Sequence, residues 1–156
     1  MASALIICIG NDLVADDGAG HAVHRLLAAR LANPGVRLVL LGLGGMSLVD
    51  HFQGEAQLIV VDAVQLGAPA GTVHVLDWTR LPASGCQFSC HGIGVREAIE
   101  VSRTLFPEMT PQTVHLVGIE GRCFDQLGEG LSAEVAAAVE PAAAAVFGLL
   151  VQDTVV

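Results

Sequence analysis

The chain has no lysine. Its seven basic residues are all arginines, set against sixteen acidic ones, so the 156 residues carry a formal net charge of -9. Without a basic cluster, so acidic a chain is poorly suited to nucleic acid or an anionic membrane, and both are set aside as partners. Paired cysteines are missing too: Cys8, Cys86, Cys90 and Cys123 contain no C-x-x-C, and Cys86 and Cys90 are spaced too loosely for a zinc knuckle. No secretory leader precedes them, so the expectation is a reducing cytoplasm rather than a disulfide framework. Cys8 lies inside an apolar run and reads as a small core residue. Cys90 beside His91 invites a thiol nucleophile, but sequence neighbours usually point apart and no oxyanion feature accompanies them. Long hydrophobic runs are also scarce, although 53% of the residues are hydrophobic. The longest, Ala142 to Val151, has about half the length a spanning helix needs, and Glu140-Pro141 interrupts its backward extension. The expectation is a protein outside the membrane with an apolar surface that docks onto another macromolecule.

A length of 156 residues suits one domain, 1–156, with a real core. Apolar runs at Ala4–Ile9, Val36–Leu41, Gln57–Asp62, Thr72–Leu76 and Thr113–Gly118 read as five strands. Helical periodicity predicts helices from about Gly18 to Ala32 and Gly94 to Leu105, and a C-terminal helix from Ser132 that Pro141 should kink or break. A short helix, Ser47 to Gln53, is expected with Ser47 as N-cap and Gly54 as its stop. Asp77 to Cys90 reads as a long functional loop. Strands alternating with helices predict an α/β fold: a three-layer sandwich with a five-stranded, mostly parallel twisted sheet and helices on both faces.

The organising stretch is Gly10-Asn11-Asp12-Leu13-Val14-Ala15-Asp16-Asp17-Gly18-Ala19-Gly20, a strand-to-helix loop with two adjacent carboxylates between glycines. Asp62, expected to close the third strand, and His91, in the long loop, should reach the same rim of the sheet, where α/β proteins place their chemistry. Two carboxylates and one imidazole suit a borderline divalent cation such as zinc, nickel, manganese or iron, with coordination positions left over for a substrate oxygen or water. Each residue also has an ordinary explanation. Asp16 or Asp17 can simply complement a helix dipole, and His91 can be a hydrogen-bonded loop histidine. A carboxylate ending an apolar strand, as at Asp62, is harder to explain without partners. His21, His24, His51, His74 and His115 read as helix-face or strand residues, and Gly42-x-Gly44-Gly45 only imitates a dinucleotide fingerprint.

With Gly10-Asn11, Asp16-Asp17-Gly18-x-Gly20, Asp62-Ala63, Ser89-x-His91-x-x-Gly94, the Gly45-Met46 turn, Val117-Gly118 and Glu140-Pro141, the chain resembles the nickel-iron hydrogenase maturation endopeptidases over nearly its whole length. The resemblance implies a phosphorylase/hydrolase-like sandwich and a cytoplasmic aspartic-type endopeptidase, usually monomeric. Such an enzyme removes the C-terminal peptide of the nickel-loaded hydrogenase large-subunit precursor. It also implies that Asp17, Asp62 and His91 are the catalytic and metal-binding residues, while Asp16, Asn11 and Gly45 support the loops. The nickel belongs to the substrate and is not permanently bound; other divalent cations can occupy the site. Some members of the family carry glutamate at the position of Asp17, so the ligand here sits one methylene shorter. Asp12 and His21 receive no role from the resemblance. Three rivals belong to other classes: a metallohydrolase with its own zinc, a magnesium-dependent receiver-like phosphoacceptor domain, and a module that escorts an apolar partner without cutting it. The missing lysine counts against the receiver domain, which needs one at the end of its fifth strand.

Overall fold

In a computed structural model the described residues are 3–42, 45–77, 94–128 and 130–152. The chain runs β1 (Ala4–Ile9), a 3-10 helix (Ala15–Gly18), α1 (Ala19–Arg30), β2 (Val36–Leu41), a second 3-10 helix (Gly45–His51), β3 (Gln57–Val64), β4 (Val73–Asp77), α2 (Val95–Leu105), β5 (Thr113–Glu120) and α3 (Ala133–Gln152). The strands form one sheet in the order β2-β1-β3-β5-β4. β1, β2, β3 and β5 are parallel, and the edge strand β4 runs antiparallel to β5. That order and the reversed β4 differ from the all-parallel 2-1-3-4-5 sheet of a receiver domain.

Alternation along the central strands divides the core between two faces. Ile6, Cys8, Ile59, Val61, Val117 and Ile119 face α1 and α3, meeting Val23, Leu27, Ala142 and Val146. Leu5, Ile7, Leu58, Val60 and Leu116 face the other way, toward α2 and the second 3-10 helix, meeting Ala98, Ile99, Leu48 and Phe52. Both β1 and β3 are buried along their entire lengths, as the continuous apolar runs required.

Several boundaries differ from the sequence reading. β3 continues two residues past Asp62, because Ala63 and Val64 stay in register with Ile119 and Glu120 of an equally extended β5. Asp62 therefore stands inside the strand. The short helix is a 3-10 segment from Gly45, so Ser47 lies within it and is not its cap. Pro141 neither breaks nor ends α3, which runs through it for twenty residues. Pro141 and Ala137, whose carbonyl loses its helical donor, are both exposed to water, while the stripe Val135, Ala138, Ala142, Val146 and Leu149 stays buried on either side. α3 is thus long and apolar enough to cross a membrane by length and composition, with a mean hydropathy of 1.6 over Ala133–Leu150. That stripe packs onto the sheet beside α1, as in a core helix. A bidentate ion pair from Arg30 to Glu140, at 2.8 and 2.7 Å, joins the two helices at the surface.

Candidate active site at the C-terminal rim of the sheet

The organising loop folds against the end of β1 because its glycines permit contact that no side chain would allow. A Cβ on Gly20 would enter the Ile9 carbonyl, and one on Gly10 would lie 2.9 Å from the Asp17 carbonyl oxygen. The loop is closed by Asn11, whose N–H donates to the Asp17 carbonyl (3.0 Å) and whose side-chain oxygen accepts the Leu13 N–H (3.0 Å). Just ahead of the acidic pair, Ala15 is buried with φ of 39°, a left-handed backbone that costs a non-glycine residue on the order of 1 kcal/mol.

The adjacent carboxylates have separate tasks. Asp16 is fully buried and reaches away from the loop to the segment after β5. It accepts hydrogen bonds from the backbone N–H groups of Arg122 (2.9 Å), Cys123 (3.0 Å) and Ser132 (2.7 Å) and from the Ser132 hydroxyl (3.0 Å). The Asp16 N–H donates to the Cys123 carbonyl at 2.9 Å. Burial works against ionisation, but the donors at Arg122, Ser132 and Cys123 outweigh it and hold the carboxyl below its ordinary value. Asp16 fastens the β1 loop to the β5 loop, and an antiparallel bridge between Val14 and Leu127 continues the seam.

Asp17, in the 3-10 helix that packs beside β3, is 7% exposed, and Asp62 on β3 is 1% exposed. Both belong to the C-terminal rim of the parallel strands. By alternation Asp62 shares the face of Val60 and Val64, toward α2. Its carboxylate reinforces what burial does to Cys8, whose thiol is pushed up to about 12. Cys8 is therefore a protonated core residue, as its setting in the sequence suggested. His91, Cys86, Cys90 and the rest of the loop leading to α2 lie outside the described residues, as does the Ser89-x-His91 motif. Gly45 opens the second 3-10 helix beyond β2, at the same rim. Among the described residues no group of three or more His, Cys, Asp or Glu side chains is clustered closely enough to hold a metal ion.

Sequence reasoning missed Glu120. Its buried carboxylate, at the end of β5, accepts the N–H groups of Leu66 (2.9 Å) and Ala68 (3.0 Å) and meets His74 Nε2 at 3.3 Å, fixing the turn between β3 and β4. The available signal was an acid closing the run Val117-Gly118-Ile119-Glu120, the same pattern that drew attention to Asp62. His21, left without a role, lies 3.6 Å from Asp12 and accepts at Nδ1 from Arg25 (3.1 Å), tying the loop to α1.

The profile of a hydrogenase maturation protease family matches residues 21–149. The hydrogenase expression/formation protein HupM of Azotobacter chroococcum mcd 1 is 34% identical over 151 residues, covering 95% of this chain and 71% of its own. HoxM of Cupriavidus necator is 32% identical over 140 residues, covering 86% and 67%. Among solved structures, the hydrogenase maturating endopeptidase HybD from E. coli superposes with a TM-score of 0.84 at 26% identity, over 98% of this chain and 94% of that one. The [NiFe] hydrogenase maturation protease HybD from Thermococcus kodakarensis gives 0.76 at 28%, over 96% and 99%. Profile, relatives and fold agree with one another: the chain belongs to the hydrogenase maturation proteases.

Proposed function

We propose that this peptidase removes the C-terminal peptide of a nickel-loaded hydrogenase large-subunit precursor, with Asp17, Asp62 and His91 receiving the substrate's nickel. The observation that carries the reading is the burial of Asp17 and Asp62 at one rim of the parallel sheet, in a chain of this family. Keeping two carboxylates out of water is costly unless charge or hydrogen bonds compensate. Carboxylate and imidazole donors suit nickel as well as other divalent ions, so a cation arriving with the substrate adds a charge of favourable sign beside both carboxylates. Docking of the metal-bearing end of the precursor brings the scissile carbonyl to the carboxylates, where water attacks it. Precursor without nickel lacks the group that Asp17 and Asp62 bind, so it is not processed. Asp16, Asn11 and Gly45 hold the loops that carry these residues. The enzyme works as a cytoplasmic monomer and does not retain the metal.

The test is to incubate the protein with nickel-loaded and nickel-free precursor and follow the mass of the large subunit. Loss of a C-terminal peptide from the loaded form alone is the expected result. Cleavage of both forms would remove the nickel requirement, and stoichiometric zinc in the freshly purified protein would favour a resident-metal hydrolase instead.

A further inference from the structure

Of the nine large hydrophobic side chains exposed among the described residues, four stand at the C-terminal rim, each on a different strand-end loop. Leu13 (65% exposed) follows β1, Met46 (40%) follows β2, Leu66 (39%) follows β3 and Leu127 (79%) follows β5. Chance exposure of single apolar residues is ordinary; one after each of four adjacent strands, at the rim that carries a pair of buried carboxylates, is a pattern. These loops issue from four adjacent strands, so the apolar groups are spread over three inter-strand spacings, roughly 14 Å of sheet.

The two most exposed of them are also rigidly held. Leu127 forms the bridge to Val14, the Gly128 N–H donates to the Leu13 carbonyl at 2.9 Å, and Asp16 locks both segments from beneath. Exposed side chains on a fixed backbone lose little entropy when covered, which is how an interface anchor is built. An acid accompanies each of this pair: Asp12 precedes Leu13, and the exposed Asp125 stands two residues before Leu127. Arg122, the arginine of the β5 loop, is paired with Glu134 at 3.1 Å. Asp12 has His21 at 3.6 Å, so with a neutral imidazole the sign of this part of the rim is negative, matching the whole chain at -9.

We infer that Leu13, Met46, Leu66 and Leu127 form the docking ring for the folded body of the large-subunit precursor, gripping an apolar surface with basic flanks around its scissile tail. This rests on the proposed function and adds where the protein partner is held. A width of roughly 14 Å exceeds what one extended tail covers, since a strand occupies about 5 Å, so most of the ring is left for the folded part of the partner. The acids at Asp12 and Asp125 steer a basic surface and exclude an acidic one.

The experiment compares the full-length protein with a Leu13→Ser/Leu127→Ser variant and with a control, Val101→Ser/Leu105→Ser, which alters the exposed apolar patch at the far end of α2. Processing of nickel-loaded precursor is measured as kcat and KM, precursor binding by sedimentation, and folding by thermal unfolding. The expected result is a KM raised at least tenfold in the rim variant with kcat within twofold, and neither value moved in the control, because uniform binding is what is lost. In the unaltered protein KM should also rise with salt, and Asp12→Asn/Asp125→Asn should flatten that rise. An unchanged KM in the rim variant, with processing intact, overturns the docking ring and leaves the protease reading standing. If the unaltered protein processes no precursor, the protease reading fails; precursor binding that is still lost in the rim variant then upholds the ring, and binding that is retained overturns it. A self-associating protein that becomes monomeric in the rim variant would assign the ring to a second copy of this chain and overturn the inference.

Discussion

The two edges of the sheet treat buried acids differently. At the N-terminal edge Glu55 is capped by Arg37, whose guanidinium also donates to the His51 carbonyl at 3.0 Å, while the Gln53 N–H donates to the other Glu55 oxygen at 2.8 Å. At the C-terminal rim stand the other four buried acids of the described chain, Asp16, Asp17, Asp62 and Glu120. Asp16 is held by backbone N–H groups and a hydroxyl, and Glu120 by backbone N–H groups and a histidine. An arginine closes a structural edge by neutralising charge. Backbone donors at the other rim fix loops without a guanidinium on the carboxylate. Asp16 and Glu120 thus build the platform of the rim, and Asp17 and Asp62 are buried beside them.

The sharpest division between those pairs is activity against stability. Asp17→Asn or Asp62→Asn should lower processing at least ~10³-fold, a loss of about 4 kcal/mol in transition-state binding, without lowering the urea midpoint of unfolding. A midpoint that falls with either substitution would move that residue into the platform. Gly20→Ala should destabilise by at least ~3 kcal/mol, because the new methyl must displace α1 from the Ile9 carbonyl, both of them backbone; denaturant unfolding measures it.

At the opposite edge, Arg37→Met leaves the Glu55 carboxylate buried without its cation and should cost about 3 kcal/mol in the same measurement. The rate of processing, assayed well below the melting temperature, should stay within twofold. A large loss of rate would mean that the two edges are not independent.

Asp16→Asn removes a charged acceptor and should cost about 2 kcal/mol. Because the folded carboxyl lies below its ordinary value of 3.8, the stability it adds is present in full above that pH. It is lost as pH falls through the depressed folded value. The difference in unfolding free energy between the natural protein and the variant should hold steady from pH 7 to about pH 4 and shrink below; a difference that grows on acidification would reverse the assignment.

Much of the architecture was legible before any coordinates. β1 begins and ends where its apolar run does, because a strand covered on both faces shows no polar residue until it leaves the sheet; the half-buried edge strand β2 keeps the bounds of its run although it carries Arg37. The same logic failed at Asp62. An acid inside a continuing strand looks, in one dimension, like an acid that ends it, and only pairing with β5 separates the two. Pro141 misled for a related reason: the helix tolerates it because that side faces water, a fact about packing rather than about proline. The distinct tasks of Asp16 and Asp17 were equally hidden, since what differs between them is a partner more than a hundred residues away.

The sequence by itself determined the strand-helix order, the acidic loop with its glycines and the family resemblance, because local periodicity and motif spacing are properties of neighbours along the chain. Only the tertiary structure decided that Asp16 fastens the loops, that Glu120 belongs to the same rim, and that four loops each offer one apolar side chain there. Those facts depend on which segments lie across the sheet from one another, and hydrogen-bond saturation and exposure have no meaning until the chain has folded.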